Sequence, residues 1–97
     1  MERRLLTGDE LTAATAGLNG CSTDTGRLNK SYKFENFAAA LAFVNQVGSL
    51  AESADHHPDI TFGWGYADIV LMTHDRGGIT DADIALAGKI DSINKSD

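Results

Sequence analysis

The chain has one cysteine, one proline and one tryptophan in 97 residues. A lone Cys21 cannot form an internal disulfide or a multi-cysteine metal framework. It suits a reducing compartment. Long hydrophobic runs are also missing. A run such as Ala38 to Val44 falls far short of the ~20 residues that cross a bilayer. The opening Met1-Glu2-Arg3-Arg4-Leu5-Leu6 lacks the apolar stretch of a secretory signal. A protein of the cytoplasm, with no membrane partner, is expected. Positive charge is scarce too. Eight Lys and Arg stand against fourteen Asp and Glu, a net charge of −6. The basic residues are scattered, so a phosphate backbone would meet a repelling surface. Direct nucleic-acid binding is not expected.

What is present is ordinary globular material. Hydrophobic residues make up 42% of the chain, enough to argue against disorder. The length suits a single domain over residues 1–97. A core this small is modest, which favours support from a partner subunit.

Periodicity divides the chain into seven elements. Thr7 with Glu10 reads as a capping box opening a first helix, with Leu11, Ala14 and Leu18 on one face. Gly17, Asn19 and Gly20 should end it. Cys21 to Lys30 suits a hairpin that turns around Asp24-Thr25-Gly26-Arg27, and the strand after the turn runs from Leu28 to Phe34. Asn36 caps a central helix whose stripe is Phe37, Leu41, Val44, Gly48 and Ala51, widened by Ala40 and Val47. It should run to about Ala54, because Pro58 disfavours helix at His57. Ile60, Phe62, Trp64 and Tyr66 alternate as a strand. A turn near Gly65-Tyr66-Ala67-Asp68 then leads into Ile69 to Met72, with Trp64 read as core. Gly77-Gly78 marks a loop, and a last helix starts at Thr80 with Asp83 as reciprocal cap. Ile84, Ala87 and Ile90 should face the core. Adjacent strands on short turns favour antiparallel pairing. The expected class is α+β: a two-layer sandwich with a four-stranded antiparallel sheet and three helices on one face.

The chemistry concentrates in a short stretch. His56 and His57 end the central helix, and His74 follows the last strand. Element ends that border loops gather functional side chains. Imidazoles titrate near neutral pH, so a cluster supplies both a proton donor and an acceptor. Glu52 stands four residues before His56, a spacing that puts both on one helix face and lets the carboxylate fix the tautomer. Taken alone, His56-His57 fits a polar helix terminus at least as well, since cations suit a helix C-terminus. Asp83 alone is a cap, and Glu52 alone is a solvated face residue. Three histidines with Glu52 or Asp55 also have the donors for zinc, but the spacing matches no zinc signature, and no metal is expected. Gly63-Trp64-Gly65 lacks the context of a phosphate loop.

The combination Glu52-x-x-x-His56-His57-Pro58, then Thr73-His74-Asp75, then Asp83, resembles the pterin-4a-carbinolamine dehydratase family. Tyr32-Lys33-Phe34-Glu35-Asn36-Phe37 is similar to that family's strand-to-helix junction. Ala42 to Val47, Leu50-Ala51-Glu52, Gly78-Ile79-Thr80 and Asp83 to Ala87 extend the likeness. Two departures stand out. Cys21 and Ile60 occupy positions where many members carry tryptophan. The resemblance implies dehydration of a 4a-hydroxytetrahydropterin without a metal or redox cofactor. It implies His56 and His74 as acid–base groups, His57 as an orienting group, and Glu52 and Asp83 as supports. Contacts to the pterin would come from His56, His57, Pro58, Thr73, His74, Asp75 and Arg76. A homodimer or homotetramer is implied as well. Relatives include dimerisation cofactors of transcription factors and Rubisco assembly factors, so a binding-only role is the rival expectation.

Overall fold

A computed structural model describes residues 5–16, 21–23 and 26–95. The elements run α1 (Gly8–Thr15), β1 (Cys21–Ser22), β2 (Leu28–Lys33), α2 (Phe37–Ala54), β3 (Asp59–Gly63), β4 (Tyr66–Leu71) and α3 (Asp81–Lys95). A short 3-10 turn, His74–Arg76, lies between β4 and α3. The expected end of the first helix at residues 17–20 falls outside the described residues, as do Asp24 and Thr25 of the first turn.

Local chemistry sets the helix ends. Glu10 N–H donates to Thr7 Oγ1 at 3.4 Å, and Thr7 N–H donates to Glu10 Oε1 at 3.0 Å. These bonds satisfy amides that a helix start otherwise leaves open. Asn36 Oδ1 accepts from Ala39 N–H at 2.8 Å. At the other end of α2, Asp55 turns left-handed at φ 51, and its N–H reaches the carbonyls of Ala51 and Glu52. Glycine usually takes this position, and a short polar side chain tolerates it.

The sheet is antiparallel, in the order β1-β2-β4-β3. Leu28 pairs with Leu71 across β2 and β4, and Ile60 with Ile69 across β3 and β4. β1 is only a two-residue edge strand. α2 and α3 pack on each other, and α2 packs on β3 and β4. The buried cluster joins Leu28, Ile69 and Leu71 of the sheet to Val47, Leu86, Ala87 and Ile90 of the helices. Apolar area removed from water in this layer is the main source of stability.

Three expectations are corrected. The buried seam of α2 is Ala40, Phe43, Val47 and Ala51, whereas Phe37 and Leu41 are 45% and 39% exposed. The rings of Tyr32 and Phe34 pack on Phe43, with centroids 4.7 and 5.0 Å away, and so turn that face inward. Phe37 instead meets Phe62 at the edge, at 5.5 Å. The second hairpin turns at Trp64-Gly65, and Tyr66 already belongs to β4. Gly65 has φ +82, the positive value that a second turn position demands. The third correction follows from the turn, for Trp64 sits at the tip and is 72% exposed.

One buried charge went unanticipated. Lys30 alternates inward on β2 and is 1% exposed. Its Nζ meets Asp91 Oδ1 of α3 at 2.9 Å, and Tyr32 Oη donates to the same oxygen at 2.8 Å. Losing either charge would leave the other buried and unpaired, so this pair ties α3 to the sheet.

Candidate active site

The αL turn at Asp55 takes both adjacent histidines out of the helix. Continuing helix would have placed His56 beside Glu52. Instead, His56 N–H donates to Ala51 O at 3.1 Å, and the side chain turns inward to 6% exposure. There its Nε2 meets Asp83 Oδ1 of α3. Glu52 pairs with His57, Oε2 to Nε2 at 3.0 Å, and that pair stays exposed at 78% and 57%. The expected Glu52–His56 contact is therefore replaced by Glu52–His57, because the helix ends before either imidazole.

Asp83 is fully buried. A carboxylate only accepts hydrogen bonds, and this one is well supplied. Oδ2 takes Thr80 N–H at 2.9 Å and the Thr73 hydroxyl at 3.0 Å, while Oδ1 takes His56. The cap of α3 and the support of His56 are thus one group. With Nε2 facing a carboxylate, Nδ1 is the edge of His56 left for a proton transfer.

Thr73 lies two residues past the end of β4 and is 1% exposed. Its hydroxyl is 2.7 Å from Thr80 Oγ1. Its N–H donates to Gly78 O, and its carbonyl accepts from Arg76 and Gly77. These bonds close a tight loop from Thr73 to Gly78, with Gly77 at φ +72. His74, Asp75 and Arg76 ride on that loop, and Asp75 and Arg76 are exposed. The imidazole of His74 lies outside the described part of the structure. Pro58 is half-buried, next to His57.

A cleft of about 480 Å³ opens beside His56. Ser53, Ala54, Asp55 and His56 form one wall at the end of α2. Ala82, Ala85, Leu86 and Lys89 form the other on α3. The volume is in the range of small-molecule sites. Among the described residues, no three His, Cys, Asp or Glu side chains gather closely enough to hold a metal ion. No described helix is long and apolar enough to cross a membrane.

The structure joins His56 to Asp83 and Thr73, and His57 to Glu52. It leaves Asp75 and Arg76 on the surface nearby. The sequence reading missed Thr80 as a partner of Thr73, and it missed the α3 wall of the cleft. The spacing Ala82, Ala85, Leu86, Lys89 marks one helix face, but small residues carry no signal of chemistry by themselves.

Comparison with known proteins points to one family. Residues 4–93 match the family model described as pterin 4 alpha carbinolamine dehydratase. A protein of Rubrobacter xylanophilus, provisionally named a pterin-4-alpha-carbinolamine dehydratase, is 46% identical over 89 residues, covering 91% of this chain and 83% of the relative. One from Mycobacteroides abscessus with the same provisional name is 44% identical, covering 91% and 94%. Among solved structures, a transcriptional coactivator/pterin dehydratase from Brucella melitensis superposes with a TM-score of 0.88 at 33% identity, covering 93% of this chain and 98% of that one. A pterin dehydratase-like protein described as a RuBisCO assembly factor of the alpha-carboxysome gives 0.61 at 29% identity, covering 74% and 83%.

Proposed function

Because the chain belongs to the pterin 4 alpha carbinolamine dehydratase family, we propose that it removes water from a 4a-hydroxytetrahydropterin to give the quinonoid dihydropterin. The observation that carries this reading is the His56–Asp83 pair, buried at the wall of a cleft beside the exposed His57–Glu52 pair. The elimination breaks the C4a–O bond and forms a double bond between C4a and N5. One proton goes to the departing hydroxyl, and one leaves N5. No electrons are transferred, so histidines suffice and no cofactor is invoked. Each positioned acid or base is worth about 10²–10⁴-fold.

His56 and His74 take the acid and base roles. Asp83 orients His56 through Nε2 and leaves Nδ1 to act. His57, held by Glu52, orients the substrate. Pro58, Thr73, Asp75 and Arg76 complete the contacts, with Thr73 acting through the loop it closes. We place the protein in the cytoplasm as a homodimer or homotetramer, serving pterin recycling.

An ultraviolet assay with chemically prepared 4a-hydroxytetrahydropterin tests the reading. Catalytic amounts of protein should accelerate dehydration, and His74→Ala should abolish the gain. A rate equal to the spontaneous one would move the protein to a second reading, a non-catalytic binding protein. That reading rests on the likeness to the RuBisCO assembly factor. The paired histidines favour catalysis, since binding alone gives little reason to bury one imidazole on a carboxylate.

A further inference from the structure

Asp83 holds His56 with one oxygen, and its other oxygen reaches the loop that carries His74. Thr73, the residue before His74, places its hydroxyl 3.0 Å from Asp83 Oδ2. Thr80 stands behind Thr73, with its Oγ1 2.7 Å from Thr73 Oγ1 and 3.5 Å from Asp83 Oδ2. Thr73, Thr80 and Asp83 are all buried, so solvent does not compete for these bonds.

The direction of the bonds follows from counting protons. Each hydroxyl has one to give, and an ionised carboxylate has none. Suppose Thr80 donated to Asp83 across 3.5 Å and Thr73 donated to Thr80. The 3.0 Å approach of Thr73 to Asp83 would then set two acceptors against each other. The reverse order satisfies both short contacts: Thr80 donates to Thr73, and Thr73 donates to Asp83. Each bond in such a chain polarises the next. Together with Thr80 N–H at 2.9 Å, the chain fills Oδ2, fixes the plane of the carboxylate and leaves Oδ1 for His56.

From this geometry we propose that Thr80 is a positioning residue. Its hydroxyl, relayed by Thr73, holds Asp83 so that His56 and the loop bearing His74 keep a fixed relation to each other. The inference rests on the dehydratase reading and adds to it a residue that touches no substrate. The main chain of Thr80 is held by other bonds. Its carbonyl accepts from Asp83 N–H at 3.1 Å and Ile84 N–H at 3.3 Å, and Thr80 pairs with Leu5 in an antiparallel bridge. Removing the hydroxyl therefore breaks the relay and leaves the backbone in place.

The test joins turnover to proton NMR of the His56 ring N–H that faces Asp83, a signal identified by its loss in His56→Ala. Thr80→Val removes the hydroxyl at nearly constant volume. It should lower kcat about tenfold, less than the ~10²-fold that a 1 Å misplacement can bring. KM should stay near the wild-type value, and the His56 signal should move. Thr80→Ser keeps a hydroxyl and should restore both readouts. Thr73→Val should cost at least as much as Thr80→Val. The double variant should match Thr73→Val alone, because Thr80 then has no link to act through. Circular dichroism checks each fold, and Thr80→Ala makes the same deletion if valine is not accommodated.

Additive losses in the double variant, or an unmoved His56 signal in a folded Thr80→Val, overturn the relay. A wild-type protein that still dehydrates its substrate leaves the dehydratase reading standing in that case. A wild-type protein without turnover overturns that reading and the catalytic part of this one, and the NMR shifts then decide by themselves whether the hydroxyl chain fixes Asp83.

Discussion

His56 and His57 are neighbours in the chain, and each holds its Nε2 against a carboxylate, yet the pairs differ in everything that gives such a contact weight. The His56–Asp83 side chains are 6% and 0% exposed, against 57% and 78% for His57–Glu52. Water screens the outer pair, and its long side chains lose entropy when held in one geometry. The inner pair is shielded, and Asp83 also serves Thr73 and Thr80. Removing a partner there strands several polar groups at once. One residue, Asp55, creates the contrast by turning left-handed between Glu52 and the histidines. The lesson is that a motif of two adjacent histidines holds two different instruments, a fixed inner one and an adjustable outer one.

The sharpest way to break the contrast is Asp83→Ala. It removes the α3 cap, the acceptor for Thr73 and the partner of His56 together. Urea denaturation should show a loss of about 3–5 kcal/mol. Next comes His56→Ala, read in steady-state turnover. Its loss should be at least about 10²-fold, with His57→Ala acting more on KM than on kcat. Similar kcat losses for the two would erase the distinction between inner and outer roles. Asp55→Gly relieves the left-handed backbone, and thermal unfolding should show a gain of up to about 1 kcal/mol. A clear loss would mean that the Asp55 side chain, rather than its backbone, holds the turn. The smallest effect should be Glu52→Gln, within about 0.5 kcal/mol of wild type in the same unfolding assay. A loss on the scale of Asp83→Ala would show that the outer pair is not solvent-screened.

Much of this was legible in the residues. The Thr7–Glu10 box, the Asn36 cap and the Pro58 stop rest on contacts within one turn of chain, and they placed the start of α1 and both ends of α2. Alternation marked the strands, and the spacing of Glu52, His56, His57, His74 and Asp83 carried the family. Errors arose wherever a distant partner decided. Phe43 replaced Phe37 and Leu41 in the α2 seam because Tyr32 and Phe34 sit opposite it. Trp64 is hydrophobic enough for a core, but the turn beside Gly65 puts it at a hairpin tip. Lys30 was invisible as a core residue because its partner Asp91 is on the last helix.

The sequence by itself determined the element order, the caps, the antiparallel pairing and the set of chemically capable residues, because these depend on neighbours a few positions apart. Only the tertiary structure decided which carboxylate holds which histidine. Helical spacing joined Glu52 to His56, but one left-handed residue outweighs that spacing, and Asp83 reaches His56 only once α3 has packed against the end of α2.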